Sequence, residues 1–527
     1  MQESSSPPGN TFDIISDFER SRPLNLAKKE GVFYTPIKLA DRMVRDCLSM
    51  LNEISTLKEL LNIKILDPSC GAGIFLILAY ERLIEKLKAL ASDNFPNRKA
   101  ILQSCIFGID KDKEAVMICR KLLSDHCAQG AADIKLEANI LCADSLFTLE
   151  DFNLSDPEDS GLLEESKIIS FKNSFPDILG ETPADPGFSL VIGNPPYGLS
   201  RDEKISAAEN KKLKAVYAKY KLGKVNKYMA FMAKGFELLN SSGTLCYIVP
   251  NAWLGIKAGE GLRELYTSNG TLEALNFFEK PVFPGLDVET VVFKFKKNSR
   301  QKSVKLKHFA NAESSVIKHS FDFPKTNCSK AQEFIIPSSW DDRIARIQKH
   351  FAASCRPLDS KSHPFQAMIA LQAYAVGKGV PKQSKEIVAN HSFHSGSKVN
   401  KNYIAYLRGK DISRYCISWS GEYLHYGEHL AEPQSLCRFT GPRIVLREII
   451  NPEPYILIAA YVKDAYLYNK SVLHILLREN GCEDDMLALL AVLNSSLAGF
   501  YIKHFGRKSQ RKLFPKIVNA DLKPFPL

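Results

Sequence analysis

The stretch FSLVIGNPPYG, residues 188–198, closes an apolar run with Asn194, Pro195, Pro196 and Tyr197. Proline has no N–H and a fixed φ, so this turn presents carbonyl oxygens with no competing backbone donor. The Asn194 side-chain oxygen adds a second acceptor, and two acceptors match the two hydrogens of an exocyclic amine. Such an amine is a poor nucleophile while its lone pair is delocalised into a base. Held between two acceptors, it favours the pyramidal form, whose localised lone pair can attack an electrophilic methyl group in line. Tyr197 supplies a ring to stack on the base, a contact worth roughly 1–3 kcal/mol. A rigid Pro-rich surface turn would account for the prolines but would leave the Asn and the Tyr as coincidence.

Three carboxylates precede this turn at the ends of short apolar runs. IKILD ends in Asp67 and enters PSCGAG, where Gly71 and Gly73 let the backbone approach a ligand ahead of a long apolar helix. A lone G-x-G is also found as a plain tight strand-to-helix turn, the lesser of the two readings here. FGID ends in Asp110, the place for a carboxylate that holds two ribose hydroxyls, and CAD ends in Asp144, where an acceptor meets an adenine amino group. Asp110 lies 39 residues after Gly71, against about 20 in a dinucleotide fold, which counts against a nicotinamide dehydrogenase.

Positioning these groups requires an open α/β sheet, because its ligands bind beyond the carboxyl ends of the strands. Through residue 300, short apolar strands alternate with amphipathic helices. Candidate strands are 63–67, 106–110, 138–144, 188–193 and 244–249, and 272–278 with 289–296 read as a closing hairpin around FPGLD. Thr35 is placed as the N-cap of a helix with Pro36 first and Ile37, Ala40, Met43, Val44, Cys47 and Leu51 on one face. Residues 1–22 read as disordered, 150–186 as an acidic surface insertion, 306–339 as a linker, and 340–527 as a second, aromatic and basic domain.

The 527 residues exceed one ordinary domain. Lys and Arg (70) outnumber Asp and Glu (59), giving +11 and a pI near 8.9, a balance that permits a nucleic-acid partner without requiring one. The 12 cysteines form no C-x-x-C pair, so they read as reduced thiols of a cytoplasmic protein and not as a zinc site. No signal peptide and no apolar run near about 18 residues is present, so no membrane association is expected.

Taken in order, DPSCGAG, GID, AD and NPPY, with GVFYTP (31–36) upstream, resemble the motifs of S-adenosylmethionine-dependent methyltransferases that act on the amino group of adenine in DNA. The order is similar to the gamma group, of which the TaqI methyltransferase is the familiar member, and covers the chain from about residue 23. YLRGKDISRY, GPRIVLREI and the segment from LNSSLAGFYIKHF to RKLFPKI look like the specificity domain of restriction-modification members. The resemblance implies a Rossmann-like, mixed seven-stranded methyltransferase sheet over 23–305 and an α+β target-recognition domain. It assigns Thr35 and Asp67, Pro68, Ser69 and Cys70 to the methionine end of the cofactor, with Gly71 and Gly73 in its loop. Asp110 goes to the ribose and Asp144 to the cofactor adenine. Asn194 and Pro195 would bind the target amine, with Pro196 near the cofactor and Tyr197 on the flipped base. Phe283 matches the family's second aromatic, although a Phe before Pro-Gly is equally a core residue. Asn226 and Tyr228 match an N-x-Y that packs beneath the site. No metal is implied. The implied partners are double-stranded DNA and a separately encoded restriction endonuclease, with the chain working as a monomer.

Seven lysines lie between 211 and 227, Lys211, Lys212 and Lys219 among them, and a solvated face or a phosphate contact both fit. In the second domain Arg408, Lys410 and Arg414 lie near tyrosines, and Arg507, Lys508, Arg511 and Lys512 form a basic stretch; all are candidates for DNA contact. HYGEH (425–429) fits H-x-x-E-H, but Gly427 interrupts the helix that pattern needs. Asp177 with Glu209 and Lys211 makes a nuclease-like pattern of the kind chance supplies. Cytosine in DNA, RNA or protein remain alternative substrates, and a catalytically silent DNA-binding module is the alternative of another class.

Overall fold

The computed structural model describes residues 10–21, 35–128, 134–153, 168–198, 207–222, 226–283, 288–328, 335–337, 341–506 and 515–527. They fall into two compact units, Met1–Trp340 and Asp341–Leu527.

The first unit is built on one mixed sheet. Its strands are β1 (Ile65–Asp67), β2 (Ile106–Asp110), β3 (Ile140–Cys142), β4 (Phe188–Gly193), β5 (Leu239–Pro250), β6 (Gly270–Phe278), β7 (Thr290–Lys297), β8 (Ser303–Phe309) and β9 (Ile317–Pro324). They lie in the order β9-β8-β6-β7-β5-β4-β1-β2-β3. β1 to β5 run parallel, and β7 is antiparallel to both its neighbours. The central strands β1 and β4 are buried except at Ser189, as parallel strands covered on both faces must be. Helices α2 (Ile37–Cys47), α3 (Ile74–Ala89), α5 (Lys113–Ala128) and α7 (Lys227–Glu237) join the same core; α1 is Asn10–Ser21, α4 Phe95–Cys105 and α6 Ala207–Val216.

Several expectations are corrected. The sheet has nine strands, not seven: β8 pairs parallel to β6 and carries β9 on its outer edge. The expected 306–339 linker is therefore sheet at residues 306–309 and 317–324, with Leu306 and Phe323 buried. Within the expected disordered N-terminus, α1 buries Ile15 in the core. The expected 150–186 surface loop sends Phe171, Phe175 and Ile178 inward, with Phe175 edge-on to Phe107 and Phe188. Pro36, not Thr35, is the N-cap of α2: its carbonyl accepts from Leu39 and Ala40, and no side chain caps this end. The buried face of α2 accordingly holds Leu39, while Ile37 is exposed.

In the second unit, β10 (Phe365–Met368), β11 (Arg443–Arg447), β12 (Ala459–Val462) and β13 (Val472–Leu477) form an antiparallel sheet in the order β10-β13-β11-β12. Alternation along β11 serves two cores. Ile444 and Leu446 pack with Met486, Leu489 and Ile502 of the helices Glu483–Leu493 and Ser496–Phe505, and Val445 packs with Leu424, Phe439 and Tyr468. Among the described residues no single helix is long and apolar enough to cross a membrane, although that helix pair, bent by 64°, passes on length and composition together. HYGEH is a strand end and a turn, not a helix.

Candidate active site

The parallel order β4-β1-β2-β3 brings Asn194, Asp67, Asp110 and Asp144 to one edge of the sheet, each at or just beyond a strand's carboxyl end. The loop after β1 is tied down on three sides. Cys70 N–H donates to the Ile109 carbonyl at 3.0 Å, Gly71 N–H to Asp110 Oδ2 at 2.8 Å, and Ser145 Oγ to the Pro68 carbonyl at 2.6 Å. Asp112 N–H occupies the other Asp110 oxygen at 2.9 Å. Gly71 (φ +52°) and Gly73 (φ +93°) adopt the left-handed conformation that a side chain disfavours. A Cβ at Gly71 would meet nothing within 4 Å, so the loop leaves open space there. Gly73 is the N-cap of α3.

Asp67 is 1% exposed, and its Oδ1 accepts from Ser69 N–H at 3.0 Å. Burial pushes its carboxyl up to about 8, against the pull of the Ser69 N–H and with the help of Asp110 nearby. No cation among the described residues is one of the groups acting on it. A carboxyl whose ordinary value is 3.8 therefore keeps its proton in the folded protein between about pH 4 and about pH 8, where the unfolded chain has released it. Without cofactor, stability should fall as pH rises through that window and level off above it. Asp67→Asn should remove this slope, as measured by denaturant unfolding of both proteins at several pH values; equal slopes would show that Asp67 ionises normally.

Between β4 and the Asn194 turn, Gly193 faces Asp67: a Cβ there would lie 2.5 Å from Asp67 Oδ1. Asn194 and Pro196 are half-buried, and Pro195 and Tyr197 are buried. Gly198 packs against the backbone of Lys227 at the start of α7, where Asn226 is the N-cap and Tyr228 is fully buried. Tyr197 and Phe283 meet edge to face, with centroids 6.0 Å apart and ring planes at 74°. Two aromatics 86 residues apart in sequence thus pack against each other, and a planar group entering between them must separate the rings.

Thr35 is buried, and its hydroxyl has no hydrogen-bond partner among the described residues. Asp144 is 2% exposed, with Oδ1 accepting from Leu146 N–H at 2.8 Å and Oδ2 in an ion pair with Lys111, a residue that sequence reasoning passed over. Its only signal was its place directly after Asp110. Gly193 was missed likewise, because a steric neighbour leaves no trace in spacing. An open cradle at Gly71, an unsatisfied Thr35 hydroxyl and a buried acid without a cation are features that S-adenosylmethionine, with its ammonium and hydroxyls, fits.

The basic candidates are more engaged than their charges imply. Lys212 lies over the Phe152 ring at 4.5 Å, Lys219 pairs with Glu237 at 2.5 Å, and Lys211 is exposed. In the second unit Arg408 forms a fork to both Glu422 oxygens, and Arg414 lies over Tyr455 at 3.7 Å while donating to the Asn494 carbonyl. Lys410 is exposed. Arg507, Lys508, Arg511 and Lys512 lie outside the described residues.

Residues 104–283 match the family described as Eco57I restriction-modification methylase, and residues 404–527 match the TaqI-like C-terminal specificity domain. The chain is 27% identical over 275 residues to the type II restriction enzyme and methyltransferase RM.Eco57I of Escherichia coli, an alignment covering 47% of this chain and 26% of that protein. It is 28% identical over 230 residues to the adenine-specific methyltransferase PglX of Streptomyces coelicolor, covering 39% and 18%. A nuclease-deletion mutant of the Type ISP restriction-modification enzyme LlaGI, solved with a DNA substrate mimic, shares the fold with a TM-score of 0.58 at 16% identity, over 96% of this chain and 46% of that one. The chain spans less than half the length of each of these proteins. The chain thus carries a region similar to a restriction-modification methylase family followed by one similar to a TaqI-like specificity domain.

Proposed function

We propose that this chain transfers a methyl group from S-adenosylmethionine to the exocyclic nitrogen of an adenine extruded from duplex DNA, at a sequence read by the second unit. The observation that carries this reading is the Asn194–Tyr197 turn at the end of β4, with Phe283 against Tyr197 and Asp67 behind Gly193. When bound, the cofactor supplies an electrophilic methyl group. Thr35, Asp67 and the loop to Gly73 hold its methionine end, Asp110 its ribose and Asp144 its adenine amine. Asn194 Oδ1 and the Pro195 carbonyl accept the two hydrogens of the target amine and turn its lone pair toward the methyl group. The surplus proton leaves to water once the nitrogen is cationic, so no general base is assigned. Adenine is favoured over cytosine by Asn at the first position of the turn and by the adenine-specific relative. The biological setting that fits is the modification half of a restriction-modification system.

Nucleoside mass spectrometry after incubation of duplex DNA with isotopically labelled cofactor tests the reading. Labelled methyladenine is expected; labelled methylcytosine would keep the clamp and change the base, and no labelled nucleoside would overturn the assignment. Extruding the base costs a few kcal/mol, which stacking must recover. Tyr197→Ala and Phe283→Ala should therefore each weaken capture of an extruded base by roughly 5- to 150-fold, the equivalent of about 1–3 kcal/mol. The readout is the fluorescence of 2-aminopurine placed at the target position, and Tyr197→Phe should retain it.

A further inference from the structure

Lys111 directly follows Asp110 at the end of β2, and its ammonium reaches across to Asp144 Oδ2. The two ends of this pair differ sharply in exposure: the Asp144 side chain is 2% exposed and that of Lys111 53%. Because Leu146 N–H holds Oδ1, Oδ2 is the oxygen left to bind something else, and the ammonium now occupies it. A side chain with this much exposure can swing into water without leaving an uncompensated charge of its own, whereas Asp144 cannot follow it. Burial works against the Lys111 charge, but Asp144, followed by Glu209 and Asp110, outweighs it and keeps the ammonium protonated.

This step rests on the assignment of Asp144 to the adenine amine of the cofactor. We propose that Lys111 is a displaceable occupant of that subsite, neutralising Asp144 in the free protein and leaving when an exocyclic amine takes Oδ2. Two consequences separate this role from a merely structural ion pair. Every cofactor molecule must compete with a tethered cation, so affinity is set below what the subsite itself allows. A ligand with a 6-oxo group in place of the amine presents an acceptor, which Asp144 repels and the Lys111 ammonium can satisfy. Lys111 therefore narrows the preference for adenine.

The test is calorimetric binding of S-adenosylhomocysteine and of its deaminated 6-oxo counterpart to the full chain, comparing wild type, Lys111→Met, Lys111→Arg and Asp144→Asn. Lys111→Met should bind the amine ligand about 5- to 20-fold more tightly and the 6-oxo ligand less well, widening the ratio between them, by the arithmetic of tenfold per 1.4 kcal/mol. Lys111→Arg, which keeps the cation, should resemble wild type and shows that the site still folds. Asp144→Asn should weaken the amine ligand. If Asp144→Asn weakens binding and Lys111→Met leaves it unchanged or weaker with the same ratio, the occupant role is overturned while the adenine assignment stands. If Asp144→Asn binds as wild type does, the assignment itself falls and this inference with it.

Discussion

Asn194→Ala should slow methyl transfer by roughly 10²–10³-fold, the loss typical of removing one preorganised polar group from a reacting centre, while cofactor affinity stays within about twofold. The asymmetry follows from where the side chain sits. Asn194 directly follows β4, which lies on the opposite side of β1 from β2 and Asp110, so its truncation leaves the ties of the Gly71 loop intact. On the proposed mechanism it removes one of the two acceptors that hold the amine pyramidal, and the Pro195 carbonyl alone cannot fix both hydrogens. Single-turnover transfer with labelled cofactor measures the first quantity and calorimetry the second. Asn194→Ser, which returns a shorter acceptor, should fall between the two. Turnover near the wild-type rate in Asn194→Ala would remove the clamp from the mechanism.

Gly193→Ala should inactivate the enzyme and destabilise it together. The added methyl group would lie 2.5 Å from Asp67 Oδ1 and 2.9 Å from Cγ, inside any permitted contact, and Asp67 is fixed by burial at the end of β1. Overpacking of this kind typically costs about 1–3 kcal/mol, because neighbours must leave their rotamers or the strands must part. Parting β4 from β1 moves Asn194, so transfer should drop at least as far as in Asn194→Ala. Asp67→Ala in the same chain makes room for the methyl group. The double variant should therefore recover stability, as read by denaturant unfolding, without recovering transfer, because the acid is gone. Wild-type stability in Gly193→Ala alone would mean that the contact relaxes freely.

The candidate site was legible where chemistry imposes a fixed order of residue types. Asp67, Asp110 and Asn194 each end an apolar run, and such endings are visible because a parallel strand buried on both faces reads as a continuous apolar word. The same rule explains what was hidden. β9 is an edge strand whose Ile317, Lys318, His319 and Ser320 are all exposed, so it carries neither a run nor a clean alternation, and β8 interleaves Lys305 and Lys307 with its buried Val304 and Leu306. Phe171 and Phe175 lay inside a polar, Pro-bearing stretch, where composition averages them away. Arg408 and Arg414 looked available because sequence shows a charge but not the Glu422 or Tyr455 that engages it. Thr35 has every property of an N-cap, yet the helix begins one residue later, and its buried hydroxyl has no hydrogen-bond partner among the described residues.

On the proposed reading, Gly193 and Asp67 form the partition between the cofactor's half of the site and the half that grips the base, and there is no room there even for a Cβ at Gly193. Two ligands that press on opposite sides of one such partition share a single binding free-energy surface. Linkage then requires reciprocity: whatever factor bound cofactor adds to the capture of an extruded base, the captured base adds to the retention of cofactor. Premature loss of cofactor and idle extrusion of bases would, on the proposed reading, both be suppressed by the same few atoms.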